Sequence, residues 1–373
     1  MPLGLREMRR MWGRFVLLAG AVALLVFLIL FQQSIQNGLI TAFIGAIRNQ
    51  TAPVVVYSLE GQRTLQASFL SNEQVEQIEA VGGIERTARV QQSTYTVDVA
   101  DSDVTDASVI GTSNPKLFMP AALSSGRMPS ASGEAVGSSS DFRIGDEVQI
   151  EPSPRGKAAS IKVVGLADDI QLNVTATLFT DIDTSSAVAK AHNPQTPGGI
   201  TNAVAVQPES GMRPSAAAAA IESSVGDIEA LTRDEAADKS PGVAQVRQSF
   251  QVIFLLYALV VPLVTGLFFL ILTLQKAGAL TLLRAMGAQP GFLARSLLLQ
   301  VGIVMVIGIL IGVAMFFPLS QQNLGGISLS FDVSAVLTWA TILIVLGLVS
   351  SLASLRRVLK IDPIKAATGG VDI

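Results

Sequence analysis

Four apolar runs that carry no charged residue, at 15–31, 250–274, 296–318 and 333–355, limit what this chain can fold into more than any other feature. Seventeen residues, the shortest of the four, reach about 26 Å as a helix, close to the hydrocarbon thickness of a bilayer. Lipid supplies no partner for backbone N–H and C=O groups, so such runs must satisfy their own polar groups and are expected as helices. The first run is flanked by Arg9, Arg10 and Arg14 and is followed by Gln32, Gln33, Gln36 and Asn37. No small-residue cleavage site follows it, so an uncleaved anchor is expected and not a secretory leader.

The charges outside the runs set an orientation. Segments 1–14, 276–295 and 356–373 hold eleven Lys or Arg and three acids (Glu7, Asp362 and Asp372), whereas residues 319–332 hold no Lys or Arg. By the positive-inside rule both termini and the 276–295 segment face the cytoplasm. The expected layout is a cytoplasmic N-terminus (1–14), transmembrane helix 1 (15–36), an extracytoplasmic domain (37–249) and transmembrane helix 2 (250–275). A cytoplasmic coupling segment (276–295), transmembrane helix 3 (296–318), an outer loop (319–332), transmembrane helix 4 (333–355) and a cytoplasmic tail (356–373) complete it.

Residues 37–249 hold fifteen basic and twenty-five acidic side chains and read as short strands and amphipathic helices. Strands are expected at 54–57, 84–99 (as one or two), 104–110, 147–150, 161–164, 176–179 and 203–206, with a short apolar stretch at 228–231. Helices are expected at 71–80, opened by Ser71, Asn72 and Glu73, and at 213–223. Residues 126–145, rich in Gly and Ser, read as loop and turn, and Asp168–Asp169 as a solvated turn. The whole is an α+β domain of two helix–strand units around a β-rich insertion, placed between helices 1 and 2.

Composition removes several function classes. Cysteine is absent, which excludes disulfides, thiolate metal sites and a cysteine nucleophile. The single histidine, His192, excludes a multi-histidine metal centre and is read as exposed in a Pro/Gly-rich loop. A net charge of −3 gives no reason to expect nucleic acid. No G-x-x-x-x-G-K-[ST] segment occurs, so this chain is not expected to bind ATP by a Walker site. No nucleophile elbow or paired-carboxylate motif indicates an enzyme.

Three segments carry a resemblance. Arg127-Met128-Pro129 with Gly133-Glu134-Ala135-Val136-Gly137 and Ile144-Gly145-Asp146-Glu147-Val148, then Leu283-Arg284-Ala285-Met286-Gly287-Ala288, then Arg356-Arg357 through Ile361-Asp362-Pro363-Ile364-Lys365-Ala366, occur in an order similar to that of the MacB/FtsX-type ABC permeases. The resemblance implies a MacB-like core domain outside the membrane and a non-catalytic permease homodimer. It also implies a dimer of separate ATPase subunits whose ATP-driven closure is passed through the helices, known as mechanotransmission. The compact build resembles the haem-exporting members, which makes haem an implied transported substrate, with no intrinsic cofactor. An FtsX-type signalling protein acting on a cell-wall hydrolase is the alternative.

Within that frame, residues 276–289 suit a short amphipathic helix for ATPase coupling, with Leu280, Leu283, Arg284, Met286 and Gly287 as contact residues. Pro262 in the second run is either a hinge or a tolerated proline. Gly308 and Gly312, four apart, suit close helix packing. The amides after the first run either mark a helix leaving the bilayer or line a crevice between two protomers. In the crevice reading Phe31, Gln33, Gln36, Phe43, Arg48, Phe254 and Tyr257 bind the substrate, with aromatic walls and Arg48 as the cation for haem carboxylates. Met305 and Met315 are read as packing residues before iron ligands.

Overall fold

The computed structural model describes residues 12–100, 102–196, 199–275, 290–321, 323–324, 327–329 and 331–359. The chain divides into two compact units: Met1–Gln36, Ser249–Gln322 and Leu329–Ile373 in one, Asn37–Gln248 and Asn323–Ser328 in the other.

The first unit is helical. Its elements are the N-terminal part of α1 (Trp12–Arg48), most of α6 (Val243–Gln275), α7 (Pro290–Phe316) and α8 (Val333–Leu359). All four helices are long and apolar enough to cross a membrane. On α1, Phe15, Leu18, Ala19, Val22, Val26, Ile29 and Leu30 recur at three- and four-residue spacing and are buried with Val301, Val304, Met305 and Ile309 of α7. The contact is close because α7 presents glycine there. A Cβ at Gly308 would stand 2.6 Å from Val22 Cγ1, and one at Gly312 2.6 Å from the Ala23 carbonyl oxygen. α8 meets α7 where Gly347 faces Met305, and meets α6 where the Ser350 hydroxyl donates to the Pro262 carbonyl at 2.6 Å. α6 continues through Pro262, with Leu255, Leu259 and Leu263 exposed along it.

The second unit is built on one ten-stranded mixed sheet. β1 (Val54–Ser58), α2 (Asn72–Glu79) and β2 (Ile84–Asp98) form one strand–helix–strand unit; β9 (Ala203–Pro208), α4 (Pro214–Ser224) and β10 (Ile228–Thr232) form the other. β9 lies antiparallel between β1 and β2, and β1 lies antiparallel between β10 and β9, so the two units interleave in the order β10-β1-β9-β2. This is a split β-α-β arrangement. Between β2 and β9 the chain inserts β3 (Asp106–Thr112), β4 (Ser125–Gly126), β5 (Glu134–Ser138), β6 (Glu147–Ile150), β7 (Ala159–Ala167), β8 (Ala176–Asp181) and α3 (Ile182–His192). The insertion extends the same sheet through β3-β8-β5-β7-β4, with β6 pairing β2 and β7.

Three cores hold this unit together. Val54, Val56, Val204 and Val206 pack under α2 and α4 with Val75, Ile78 and Ile221. The opposite face of those strands, with Val55, Tyr57 and Ala205, packs on Ile40, Ile44 and Ile47 from the last turns of α1 and on Phe118 and Phe179. In the insertion, Tyr95, Val97, Val109, Val148, Ile161 and Val163 pack with Val188 of α3. Ser71 caps α2 in a reciprocal box with Gln74, and Thr232 does the same with Glu235 for α5 (Arg233–Asp238).

The structure departs from the sequence reading at 126–145, at α3 and at His192, and decides between the two forms expected for 84–99. Residues 126–145 are not all loop, because β5 lies there with Ala135–Ser138 buried. A strand covered on both faces shows no alternation, and its Gly and Ser content hides it further. Of the two forms expected for 84–99 the chain takes the single strand, fifteen residues long, Ile84–Asp98. α3 is rich in Ser, Thr and Asp and has weak intrinsic propensity; it forms because Asp181 caps it and Val188 and Ala189 reach the core. His192 therefore ends a helix instead of sitting exposed in a loop. Its Nδ1 lies 2.8 Å from the Glu151 carbonyl and its ring packs edge-on against Tyr95 at 5.1 Å.

Candidate functional site

The residues singled out in sequence fall into two groups, one in each unit. In the helical unit, Phe31, Gln33 and Gln36 stand on α1 and Phe254 and Tyr257 on α6. Gln33 donates to Gln36 Oε1 at 3.3 Å, and Gln36 is buried. Phe31 stacks on Phe27 at 6.0 Å, and Tyr257 packs against the helical core. The structure adds a residue that sequence reasoning passed over. Trp339 of α8 donates its indole N–H to Gln33 Oε1 at 3.3 Å and lies 4.9 Å from the Phe254 ring. Trp339 thus joins an amide of α1 to an aromatic of α6. Its signal was an amphipathic ring within an apolar run, a residue type that places one polar atom in an apolar wall. Met305 is fully buried against Gly347, which is a packing role, and Met315 is half exposed.

In the other unit, Phe43 packs against the core beneath α1 and faces Gly242, where a Cβ would stand 3.6 Å from its ring. Arg48, at the last turn of α1, is ion-paired: its guanidinium meets Asp238 Oδ1 at 3.1 Å. Arg247, near the start of α6, reaches the same oxygen at 2.6 Å. Val243 and Val246 of α6 pack in the same core as Ile44 and Ile47 of α1. The ends of α1 and α6 are therefore held side by side within this unit, with Asp238 of α5 between their arginines. Asp238 and Arg247 were not legible in sequence, because no spacing rule relates them to Arg48.

The motif residues of the insertion have structural work. The Arg127 guanidinium forks onto both oxygens of Glu134, one bond being 2.7 Å, and Glu134 also accepts the Ser130 N–H at 2.9 Å. These contacts hold the Glu134 carboxyl down at about 2, the Arg127 bond being the largest cause. Gly145 turns the chain at φ +98°, and Asp146 accepts the Arg143 N–H at 2.7 Å just before β6. Asp169 adopts φ +56°, and burial, with Asp168 beside it, raises its carboxyl pKa. The proposed coupling residues Leu280, Leu283, Arg284, Met286 and Gly287 lie outside the described residues, as does most of the C-terminal tail.

Residues 251–363 match the family described as FtsX-like permease C-terminal. Over its full length the chain is similar to a protein of Staphylococcus haemolyticus (strain JCSC1435) provisionally named hemin transport system permease protein HrtB. The two are 23% identical over 376 residues, covering 99% of each. The protein of the same name from Staphylococcus epidermidis (strain ATCC 12228) is 20% identical over 377 residues, covering 99% of this chain and all of the relative. Among solved structures, the periplasmic region of MacB from Actinobacillus actinomycetemcomitans aligns with 51% of this chain and 92% of its own, at 15% identity and a TM-score of 0.36. The extracellular domain of the noncanonic ABC-type transporter YknZ from Gram-positive bacteria aligns with 48% of this chain and 98% of its own, at 12% identity and a TM-score of 0.32.

Proposed function

We propose that this chain, whose residues 251–363 match the family described as FtsX-like permease C-terminal, is the membrane subunit of an ABC-type efflux system that expels a hydrophobic or amphiphilic compound, with haem the first candidate. The observation that carries this reading is the end-to-end similarity, over 99% of the chain, to permeases named for hemin transport. The layout of four apolar helices with one α/β domain between the first and second is consistent with it.

In this reading two copies pair, both termini face the cytoplasm, and a separate ATPase dimer docks on residues 276–295. Hydrolysis there drives the helices, and the permease itself performs no chemistry. The aromatic and amide group on α1, α6 and α8 (Phe31, Gln33, Gln36, Phe254, Tyr257 and now Trp339) offers apolar walls with a few fixed polar atoms, the usual make-up of a small-molecule site. Phe43 and Arg48, which belong to the other compact unit, are kept as separate candidates, with Arg48 as the cation for a carboxylate.

The test is an absorbance titration of the purified full chain in detergent with haem, alongside growth on toxic haem. A spectral shift at micromolar haem that weakens in Arg48→Ala supports the reading. No shift with the wild-type chain removes haem as the substrate, and a normal shift with Arg48→Ala moves the site elsewhere. The family match also favours a second reading, an FtsX-type signalling protein controlling a cell-wall hydrolase. That reading requires loss of the chain to leave haem tolerance unchanged while altering cell-wall turnover.

A further inference from the structure

The chain between β7 and β8 meets the last turns of α1 backbone to backbone. Asn173 and Val174 donate their N–H groups to the carbonyls of Phe43 and Ala42, both at 2.9 Å, and the Ala46 N–H donates to the Gln171 carbonyl at 3.0 Å. In a regular α-helix the Ala46 N–H bonds the Ala42 carbonyl. Here each of those two groups has a partner in the loop. Loss of the Val174 bond does not orphan the Ala42 carbonyl, because it can share the Ala46 N–H in a three-centre bond, a common arrangement at helix ends. The approach is close because residue 45 is glycine, where a Cβ would overlap the Asp169 carbonyl oxygen. All of these residues belong to the sheet unit.

The loop has a fixed part and an exposed tip. Ile170 and Leu172 are buried in the core that holds Ile40, Ile44 and Ile47 of α1, and the Gln171 side chain donates to Asp141 at 2.8 Å. Asn173 and Val174 then form a two-residue turn, closed by the Thr175 N–H on the Leu172 carbonyl at 3.0 Å. Both have positive φ, +53° and +59°. Positive φ at both central residues marks a type I′ turn, in which glycine is favoured at the second. Asparagine tolerates the left-handed region, whereas a β-branched residue is strained there. Val174 occupies that position although its side chain is 40% exposed and belongs to none of the three cores.

We propose that Asn173–Val174 is a strained, releasable clasp on α1 with two states. One is the docked state just described. In the other the two N–H groups of the tip bond water, the Ala42 carbonyl accepts from Ala46, and Val174 leaves the left-handed region. Ile170 and Leu172 stay in place in both. The strain brings the two states close in free energy, so the end of α1 can slip against the insertion while the sheet stays folded. The clasp is a property of this unit and does not depend on which compound the chain transports.

The experiment is amide hydrogen exchange of the purified full chain in detergent, read by mass spectrometry on peptides covering 41–47 and 170–176. The wild-type tip should exchange faster than β9, whose amides report opening of the whole sheet. Val174→Gly relieves the strain and keeps the N–H, so exchange at the tip should slow about tenfold, the size of the left-handed penalty. Val174→Ala keeps a non-glycine residue at positive φ and should stay close to wild type. Gly45→Ala sets a methyl against the Asp169 carbonyl while favouring the helix, and should speed exchange at the tip with helix content unchanged. Should Gly45→Ala fail to fold, the two Val174 variants decide. Exchange of the wild-type tip as slow as that of β9, no slowing in Val174→Gly, or equal slowing in Val174→Ala would each overturn the assignment.

Discussion

Glu134 shows how a short motif can serve the fold. Its carboxylate receives the Arg127 fork and the Ser130 N–H, which tie the turn before β5 to the start of that strand. Its folded pKa is depressed from 4.5 to about 2, so the charged form is favoured by folding. The contribution is fully present above about pH 4.5 and is lost as pH falls toward about 2. In Glu134→Gln the denaturation midpoint should therefore lie below wild type at about pH 6, and the gap should narrow steadily below about pH 4.5. A gap that does not depend on pH would show that the carboxylate charge is not what stabilises the turn. Arg48 illustrates the opposite case, since its sequence position suggested a lone cation and its partner Asp238 is 190 residues away.

At the scale of elements, the crossing of α1 and α7 depends on the two glycines of α7. Gly312→Leu would force a side chain against Val26 and the Ala23 carbonyl. Overpacking of this kind costs about 1–3 kcal/mol. The thermal unfolding temperature of the full chain in detergent should fall by several degrees, whereas Leu310→Ala, on the exposed face of α7, should change it little. The proposed coupling segment gives a second element-scale prediction. Leu283→Glu or Met286→Glu should release the ATPase from co-purification and abolish its stimulation while the chain stays inserted, because a charge in an apolar interface is poorly compensated. Normal co-purification with normal stimulation would place the contact elsewhere.

For the molecule as a whole, the consequence of the proposal is dependence on a partner. No phosphate-binding motif occurs in the sequence, so the chain purified alone should not hydrolyse ATP, and activity should appear on adding its ATPase subunit. ATP hydrolysis by the pure chain that disappears on substitution of one of its own residues would refute the permease reading. The layout that supports that reading is a chain property. α1 passes from the helical unit into the sheet domain without a break, ending at Arg48, and α6 begins in that domain at Val243, ahead of its apolar run.

The four helices, the α/β domain between the first two, and most strands of that domain were legible in the sequence, for one physical reason. Lipid and protein interior both demand apolar surface, and the length and period of apolar residues report that demand locally, as in 333–355 or the alternation after Ile84. β5 and α3 were not legible, because Ala135–Ser138 is buried on both faces and α3 relies on a cap and on core contacts to form. The candidate residues were partly legible: Gln33, Gln36 and Phe254 share a neighbourhood through Trp339, which only the packing of α8 revealed. The pairing of Arg48 and Arg247 through Asp238 was decided by tertiary structure alone. An ion pair depends on side chains converging in space, and three residues on α1, α5 and α6 leave no periodic trace in the chain.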